Sequence, residues 1–354
     1  MADSIQSRKT DHLTLCAEED VGFRARGTLL DGVQLVHDAL PDLAYEDVDL
    51  HTEVLGKTLR APILIAAMTG GTDEAGRINH ELAAIAEARG YAFGLGSQRA
   101  MVVRPETRGT FRVRDVAKTT LLFGNLGVVQ VRSMTTADVR SLLDDVGADA
   151  LCVHLNPAME LVQPGGDRDF RGGLETIARL VRELGLPIIV KETGCGISPS
   201  VARRVALAGV RAIDVSGAGG TSWVGVETLR AEAQADVQAR SLGEAFWDWG
   251  IPTAACVAAI ANESKNVTLI ATGGIASGLD AARAIALGAH LVGVARPVLK
   301  ALRSGGAAEA IALLESFERE LRAAMLLTGS RDLAALRQAP RVLSNELLGW
   351  LRQL

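Results

Sequence analysis

Eight short apolar runs, each stopping at a small or polar residue, limit what this sequence can fold into more than any other feature. Ala61-Pro-Ile-Leu-Ile-Ala66 leads into Met68-Thr-Gly-Gly71, and Tyr91-Ala-Phe93 into Gly94-Leu-Gly-Ser-Gln-Arg99. Thr120-Leu-Leu-Phe123 leads into Gly124-Asn125, and Ala150-Leu-Cys-Val-His-Leu155 into Asn156-Pro157. Pro187-Ile-Ile-Val-Lys-Glu192 leads into Thr193-Gly194, and Ala212-Ile-Asp-Val215 into Ser216-Gly-Ala-Gly-Gly220. Val267-Thr-Leu-Ile-Ala271 leads into Thr272-Gly-Gly274, and Leu291-Val-Gly-Val294 into Ala295-Arg-Pro297. Nearly continuous apolar strands belong to a parallel sheet buried on both faces. Amphipathic helical stretches separate most of them, at residues 78–89, 136–146, 174–184 and 279–287. Ser198-Pro199 reads as an N-cap followed by a proline at the first helical position. Strand–helix alternation repeated eight times predicts an α/β fold, a (β/α)8 TIM barrel, with an open doubly wound sheet as the alternative.

The 354 residues could fill two ordinary domains, but such barrels often run this long as one. The expectation is a single domain over 1–354. Residues 1–60 form an N-terminal segment over the barrel, 61–300 the barrel itself, and 301–354 C-terminal helices. Residues 298–354 read as helical, most strongly Ala307 to Leu327, and residues 223–264 as an extended loop and helix after the sixth strand. A net charge of -5 argues against a nucleic-acid surface. Cys16, Cys152, Cys195 and Cys256 are scattered without a Cys-x-x-Cys pair, so metal fingers and disulfide frameworks are not expected and the cytoplasm is the expected compartment. No apolar run reaches the ~18 residues of a membrane span, and residues 1–19 lack the apolar core of a secretory signal.

In a barrel the active residues sit at the C-terminal ends of the strands, where this sequence keeps its unusual polar residues. Thr272-Gly-Gly274 and Ala295-Arg296 follow strands seven and eight, where barrels commonly hold a phosphate on backbone N–H groups and a helix N-terminus. Taken alone they are two tight turns. Lys191 interrupts an apolar strand; it either pairs with Glu192 or another acid, or stands beside an electron-rich cofactor ring. Met68-Thr-Gly-Gly71, Ser97, Asn125 and Ser216-Gly-Ala-Gly-Gly-Thr221 offer the donors and acceptors a flat heterocycle needs. A second set is directed at an anion: Arg8-Lys9-Thr-Asp-His12, Ser97-Gln98-Arg99, and His154 with Asn156, with Glu160 as a nearby acid followed by Gln163, Asp167 and Arg168. A diphosphate needs such cations, and Mg²⁺ on a carboxylate often bridges its oxygens. Alone, Arg8-Lys9 reads as a solvated tail.

Together these segments resemble the type 2, flavin-dependent isopentenyl-diphosphate isomerases. The likeness is carried by Arg8-Lys-Thr-Asp-His-Leu13, Met68-Thr-Gly-Gly71, Gly96-Ser-Gln-Arg99 and Asn125-Leu-Gly127. It continues through His154-Leu-Asn-Pro157 with Glu160, Gly166-Asp-Arg-Asp169, Lys191-Glu-Thr-Gly194, Ser216-Gly-Ala-Gly-Gly-Thr-Ser-Trp223, Trp249-Gly-Ile-Pro252 and Ala271-Thr-Gly-Gly274. The resemblance implies FMN, active when reduced and serving as acid and base, with NAD(P)H or another reductant restoring that form. It implies Mg²⁺, a double-bond shift between isopentenyl and dimethylallyl diphosphate, and a homo-oligomer of four or eight subunits. It assigns Ala67, Met68, Thr69, Ser97, Asn125, Lys191, Ser216, Thr221, Gly273, Gly274, Ala295 and Arg296 to FMN. It assigns Arg8, Lys9, Ser97, Gln98, Arg99, His154 and Asn156 to the prenyl diphosphate, Glu160 to Mg²⁺, and catalytic roles to His154 and Lys191.

One residue departs from the pattern. Met159 stands where the family has a glutamine beside the substrate's reacting carbons. A thioether has no proton to give and packs well on hydrocarbon. Met159 therefore opens three alternatives at a catalytic, substrate-facing position: a weakened isomerase, a diverged enzyme acting on another prenyl or terpenoid substrate, or an engineered change. A 2-hydroxy-acid oxidase would need a histidine base late in the barrel, where the sequence offers only His290, ahead of strand eight. A non-catalytic flavin-binding paralogue is the remaining reading, and it has no use for an anion grip.

Overall fold

The computed structural model describes residues 2–264 and 266–354. Eight parallel strands close into a barrel: β1 (Ile63–Ile65), β2 (Ala92–Gly94), β3 (Leu122–Gly127), β4 (Ala150–His154), β5 (Ile188–Lys191), β6 (Ala212–Asp214), β7 (Thr268–Ala271) and β8 (Leu291–Val294). Each pairs with the next in sequence, and β8 returns to β1 through the register pairs Val292 with Ile63 and Val294 with Ile65. Every strand expected from the sequence is present, and the open-sheet alternative is excluded.

The strands read as unbroken apolar runs because both faces are buried. Ile65, Phe93, Val153, Val190, Ile213 and Val292 join the layer under the helices. Leu64, Ala92, Phe123, Cys152, Ile189 and Ala212 form a separate cluster that fills the barrel. Side chains alternate along a strand with period two. Two residues beyond that filling, on the same inward face, come Asn125, His154, Lys191 and Asp214. The barrel's upper interior tier is therefore polar on four consecutive strands.

The helices start and stop where local chemistry directs. The N-terminal helix α1 spans Ala2–Glu18. Helix α2 (Asp73–Arg89) is capped by Thr72, whose side chain accepts from the Ala75 N–H, and ends at Gly90 in the left-handed region. Helix α3 (Thr136–Val146) opens with a Thr135/Asp138 capping box and stops at Gly147. A short α4 (Pro157–Val162) follows β4, then α5 (Gly173–Glu183) and α6 (Pro199–Leu207), the last capped by Ser198 with Pro199 at its start.

Residues 223–264 hold more helix than the loop and single helix expected. They fold as three helices, α7 (Trp223–Ala233), α8 (Val237–Phe246) and α9 (Thr253–Glu263). Gly243 lets α8 lie close on Thr228 of α7, where an added Cβ would stand 1.9 Å from the Thr228 hydroxyl. Helix α9 is the barrel's own crossover, buried from Thr253 through Ile260. Its run of small residues hid its face from a period-based reading. After α10 (Gly278–Ala286) and β8 comes α11 (Arg296–Leu326), broken at Gly305 and Gly306. The C-terminal region is not wholly helical: Arg341–Leu343 pairs antiparallel with Val33–Leu35, clasping the two ends of the chain together.

Candidate active site

Two adjoining cavities open at the C-terminal end of the barrel, of about 490 Å³ and about 130 Å³. Lys9, His12, Ala67, Met68, Lys191, Thr193 and Trp223 line both, so the two meet along one wall.

Backbone builds the larger cavity. Thr69, Ser216, Gly219, Gly220, Thr221, Gly273, Gly274, Ala295 and Arg296 line it. Gly273 and Gly274 have φ of 96° and 79°, a region L side chains rarely adopt. A Cβ on Gly220 would sit 2.3 Å from the Gly274 nitrogen, so the loops after β6 and β7 touch backbone to backbone. Helix α11 begins at the same place, completing the arrangement that binds phosphate in many barrels. The buried Thr69 hydroxyl has no hydrogen-bond partner among the described residues. A glycine cradle with an unsatisfied hydroxyl in its lining fits FMN. Arg296 lines this cavity, yet it also binds α1: its Nε donates to the Cys16 carbonyl at 2.9 Å and its Nη2 to the Glu19 carbonyl.

Side chains build the smaller cavity. Arg8, Lys9, Ser97, Arg99, Asn125, His154, Asn156, Met159 and Glu160 line it. Among the described residues no carboxylate comes within ion-pair distance of Arg8 or Lys9, and Arg99 has only Asp167 at 3.9 Å. Burial, with Arg8 and Arg99 close by, pulls Lys9 down to about 8. Burial also lowers Arg8, with Arg99 and Arg230 adding to the effect against the pull of Glu227. An anion between three crowded cations relieves their mutual repulsion. His154 is driven down to about 3 by burial and by Lys191, Lys9 and Arg99, so it is neutral. The Asn125 amide donates to the Leu95 carbonyl at 3.0 Å, which turns its oxygen toward His154 Nδ1 at 2.8 Å. His154 Nδ1 therefore carries the proton and Nε2 is left as an acceptor.

Glu160 is 6% exposed and accepts from Asn156 Nδ2 at 3.0 Å, Gln163 Nε2 at 3.3 Å and the Asp167 N–H at 2.8 Å. No group of three or more metal-ligating side chains forms among the described residues. A cation here would have one protein carboxylate and would draw its other ligands from substrate and water, as Mg²⁺ commonly does.

Gln98 needs correction as a substrate contact. It is fully buried and lines neither cavity. Its oxygen accepts from the Asn125 N–H at 2.9 Å and its amide donates to the Leu142 carbonyl at 3.2 Å, tying the turn after β2 to β3 and to α3. Lys191 makes no ion pair with Glu192; its ammonium donates to the Glu192 carbonyl. The Glu192 carboxylate instead accepts from the N–H groups of residues 193–196. Arg8 and Lys9 are no solvated tail. His12 meets Glu227 at 2.7 Å, and Arg230 bridges Glu227 and Asp11 at 2.6 and 3.1 Å, anchoring α1 to α7.

Gln130 and Asp214 were given no role from the sequence, and His12 and Trp223 entered only as members of longer segments. His12, Gln130 and Trp223 line the site. Asp214, an acid within an apolar strand, was the one with a visible signal. Among the described residues no helix is long and apolar enough to cross a membrane.

Comparison with known proteins agrees with this geometry. Residues 1–155 and 158–343 match the FMN-dependent dehydrogenase family. The isopentenyl-diphosphate delta-isomerase of Methanothermobacter thermautotrophicus is 45% identical over 99% of this chain and 96% of its own length. That of Synechococcus sp. is 48% identical over 95% of each. Among solved structures, a lactate oxidase from Pediococcus acidilactici superposes with a TM-score of 0.67 at 19% identity, over 97% of this chain and 94% of that one. A mandelate oxidase carrying an FMN monooxide adduct gives 0.65 at 19%, over 97% and 100%. At that identity the likeness is one of fold. By the family match and the full-length relatives, this chain belongs to the FMN-dependent dehydrogenase family and, within it, to the isopentenyl-diphosphate delta-isomerases.

Proposed function

We propose that this chain interconverts isopentenyl and dimethylallyl diphosphate, with FMN in the glycine-lined cavity and the diphosphate among the cations of the smaller one. The observation that carries the reading is their junction. Met68, Lys191 and Trp223 line both cavities, so a cofactor in one and a small chain in the other share a wall.

The reaction adds a proton at one carbon and removes one from another, with positive charge developing between. Reduced FMN, when bound, supplies an exchangeable proton and an electron-rich face. The protein's own residues do the rest. Arg8, Lys9 and Arg99 hold the diphosphate and fix where the hydrocarbon lies. Glu160 would hold Mg²⁺, which would offset the charge of the diphosphate. Trp223, Met68 and Met159 surround the hydrocarbon and keep water from a developing cation. His154 is neutral with a free lone pair at Nε2, so it accepts a hydrogen bond without adding charge. NAD(P)H as reductant, a homo-oligomer of four or eight copies and a cytoplasmic location complete the proposal on the family likeness.

Reduced enzyme with Mg²⁺ and isopentenyl diphosphate in deuterated water will give labelled dimethylallyl diphosphate, read by mass spectrometry. Substrate recovered unchanged and unlabelled overturns the proposal.

Met159 supports a second reading. It lines the smaller cavity, and its sulfur is 3.8 Å from Asn156 Nδ2. An apolar side chain there suits a different or larger prenyl or terpenoid chain. A large gain of ordinary isomerase activity in Met159→Gln favours a diverged enzyme; no gain shows that this residue does not decide the substrate. The oxidase alternative loses ground. His290 accepts from the Leu269 N–H at 3.1 Å at the opposite end of the barrel and lines neither cavity.

A further inference from the structure

Asp214 ends β6 in the polar tier of the barrel and is 2% exposed. A buried carboxylate is strongly unfavourable unless it is compensated. The compensation here is specific. Thr272 Oγ1 donates to Asp214 Oδ1 at 2.6 Å, a length typical of a hydroxyl bound to an ionised carboxylate. The Ser216 backbone two residues on also favours the ionised form. Lys191 is its register partner on β5. Burial pushes the Asp214 carboxyl up, and Lys191, Thr272 and Ser216 pull it back.

All three partners line the larger cavity, while Asp214 does not. Ser216 has φ of 37°, a left-handed conformation that a non-glycine residue keeps only when its surroundings enforce it. Its carbonyl is held by the Gly196 N–H at 3.0 Å.

We infer that Asp214 is a positioning residue for the flavin: its carboxylate holds Thr272 as the cofactor meets it and, facing its register partner Lys191, sets the net charge on that wall. The inference rests on FMN occupying the larger cavity. Asp214→Asn removes one negative charge beside Lys191, which favours the electron-rich reduced flavin. Thr272→Val removes a hydrogen bond and leaves the charge.

The test is the midpoint potential of bound FMN in wild type, Asp214→Asn and Thr272→Val, by dye-linked titration. The expected result is a shift to more positive potential in Asp214→Asn, with Thr272→Val near wild type but binding FMN more weakly. No shift, a negative shift, or an equal shift in Thr272→Val overturns the inference. A second measurement needs no flavin. Thermal unfolding of Asp214→Asn, Lys191→Met and the double variant will show the double more stable than the sum of the singles predicts. Additive losses overturn the pairing. Should Asp214→Asn not fold, the double variant will regain soluble protein; failure to regain it counts against the pairing equally. A wild-type protein that takes up no FMN overturns the cofactor reading instead, and this is seen before any variant is made.

Discussion

The two cavities share a wall but are built by different means. The larger has a wall of backbone, with glycines at residues 219, 220, 273 and 274 and the start of α11. The smaller is made of long side chains from elements far apart in sequence, with Arg8 and Lys9 on α1, Arg99 after β2 and His154 on β4. A backbone cradle is rigid, and its specificity lies in shape. A side-chain cage is electrostatic, and its specificity lies in charge. The difference makes the two separable by mutation at residues that line only one of them.

Arg99→Ala, at a residue that lines only the smaller cavity, should produce the largest effect. Removing one cation from the cluster will cost about 10²-fold in kcat/KM with isopentenyl diphosphate, while FMN content, read from the flavin absorbance, stays at the wild-type level. Parallel loss of flavin would show that the cavities are not independent. Gly220→Ala tests the other side. Its Cβ meets the Gly274 nitrogen, which no rotamer change relieves, so FMN affinity will fall about tenfold or more, and titration of apoprotein with FMN checks it.

A pH series sharpens the electrostatic half. Lys9 is lowered to about 8 in the free protein. Its ammonium is present below that pH and lost as pH rises through it, so diphosphate binding weakens on the alkaline side, by roughly tenfold per pH unit for one proton. Calorimetry with a prenyl diphosphate from pH 7 to 9.5 will show the decline in wild type and a flat profile in Lys9→Arg. The smallest effect belongs to Thr69→Val, which removes the unpartnered hydroxyl. FMN binding will weaken about fivefold, the worth of roughly 1 kcal/mol, with diphosphate affinity unchanged.

The same contrast explains what could be read in advance. The eight strands were legible because a strand buried on both faces is apolar at every position, and each ends at a small or polar residue. The glycine cradle was legible because Gly273, Gly274 and residues 217–220 occur in local clusters. The cation cage was visible as a list of residues, but the contacts that assemble it were not. His12 reaches Glu227 across 215 positions, and nothing local in α1 announces that docking. Gln98 shows the opposite error. It lies in a loop, where period two gives no direction, and a polar residue between Ser97 and Arg99 proved to face away from the site. Helix α9 escaped recognition because Ala254, Ala255, Ala258 and Ala259 are buried on all sides and leave no amphipathic stripe. Asp214 could have been caught by asking why an acid interrupts Ala212-Ile-Asp-Val215.

The alternation of inward and outward side chains also places a rule on how this molecule can change over time. One extra residue within Ala150–His154 would swing the imidazole from the barrel's interior into the hydrocarbon shell beneath the helices, and Val153 into its place. The strands are thus frame-locked: they tolerate exchange of one residue for another but not insertion or deletion. The loops above them carry no such frame, so lineages descended from this chain can lengthen or shorten the rim and reshape what enters, while the imidazole, ammonium and carboxylate beneath keep their bearing.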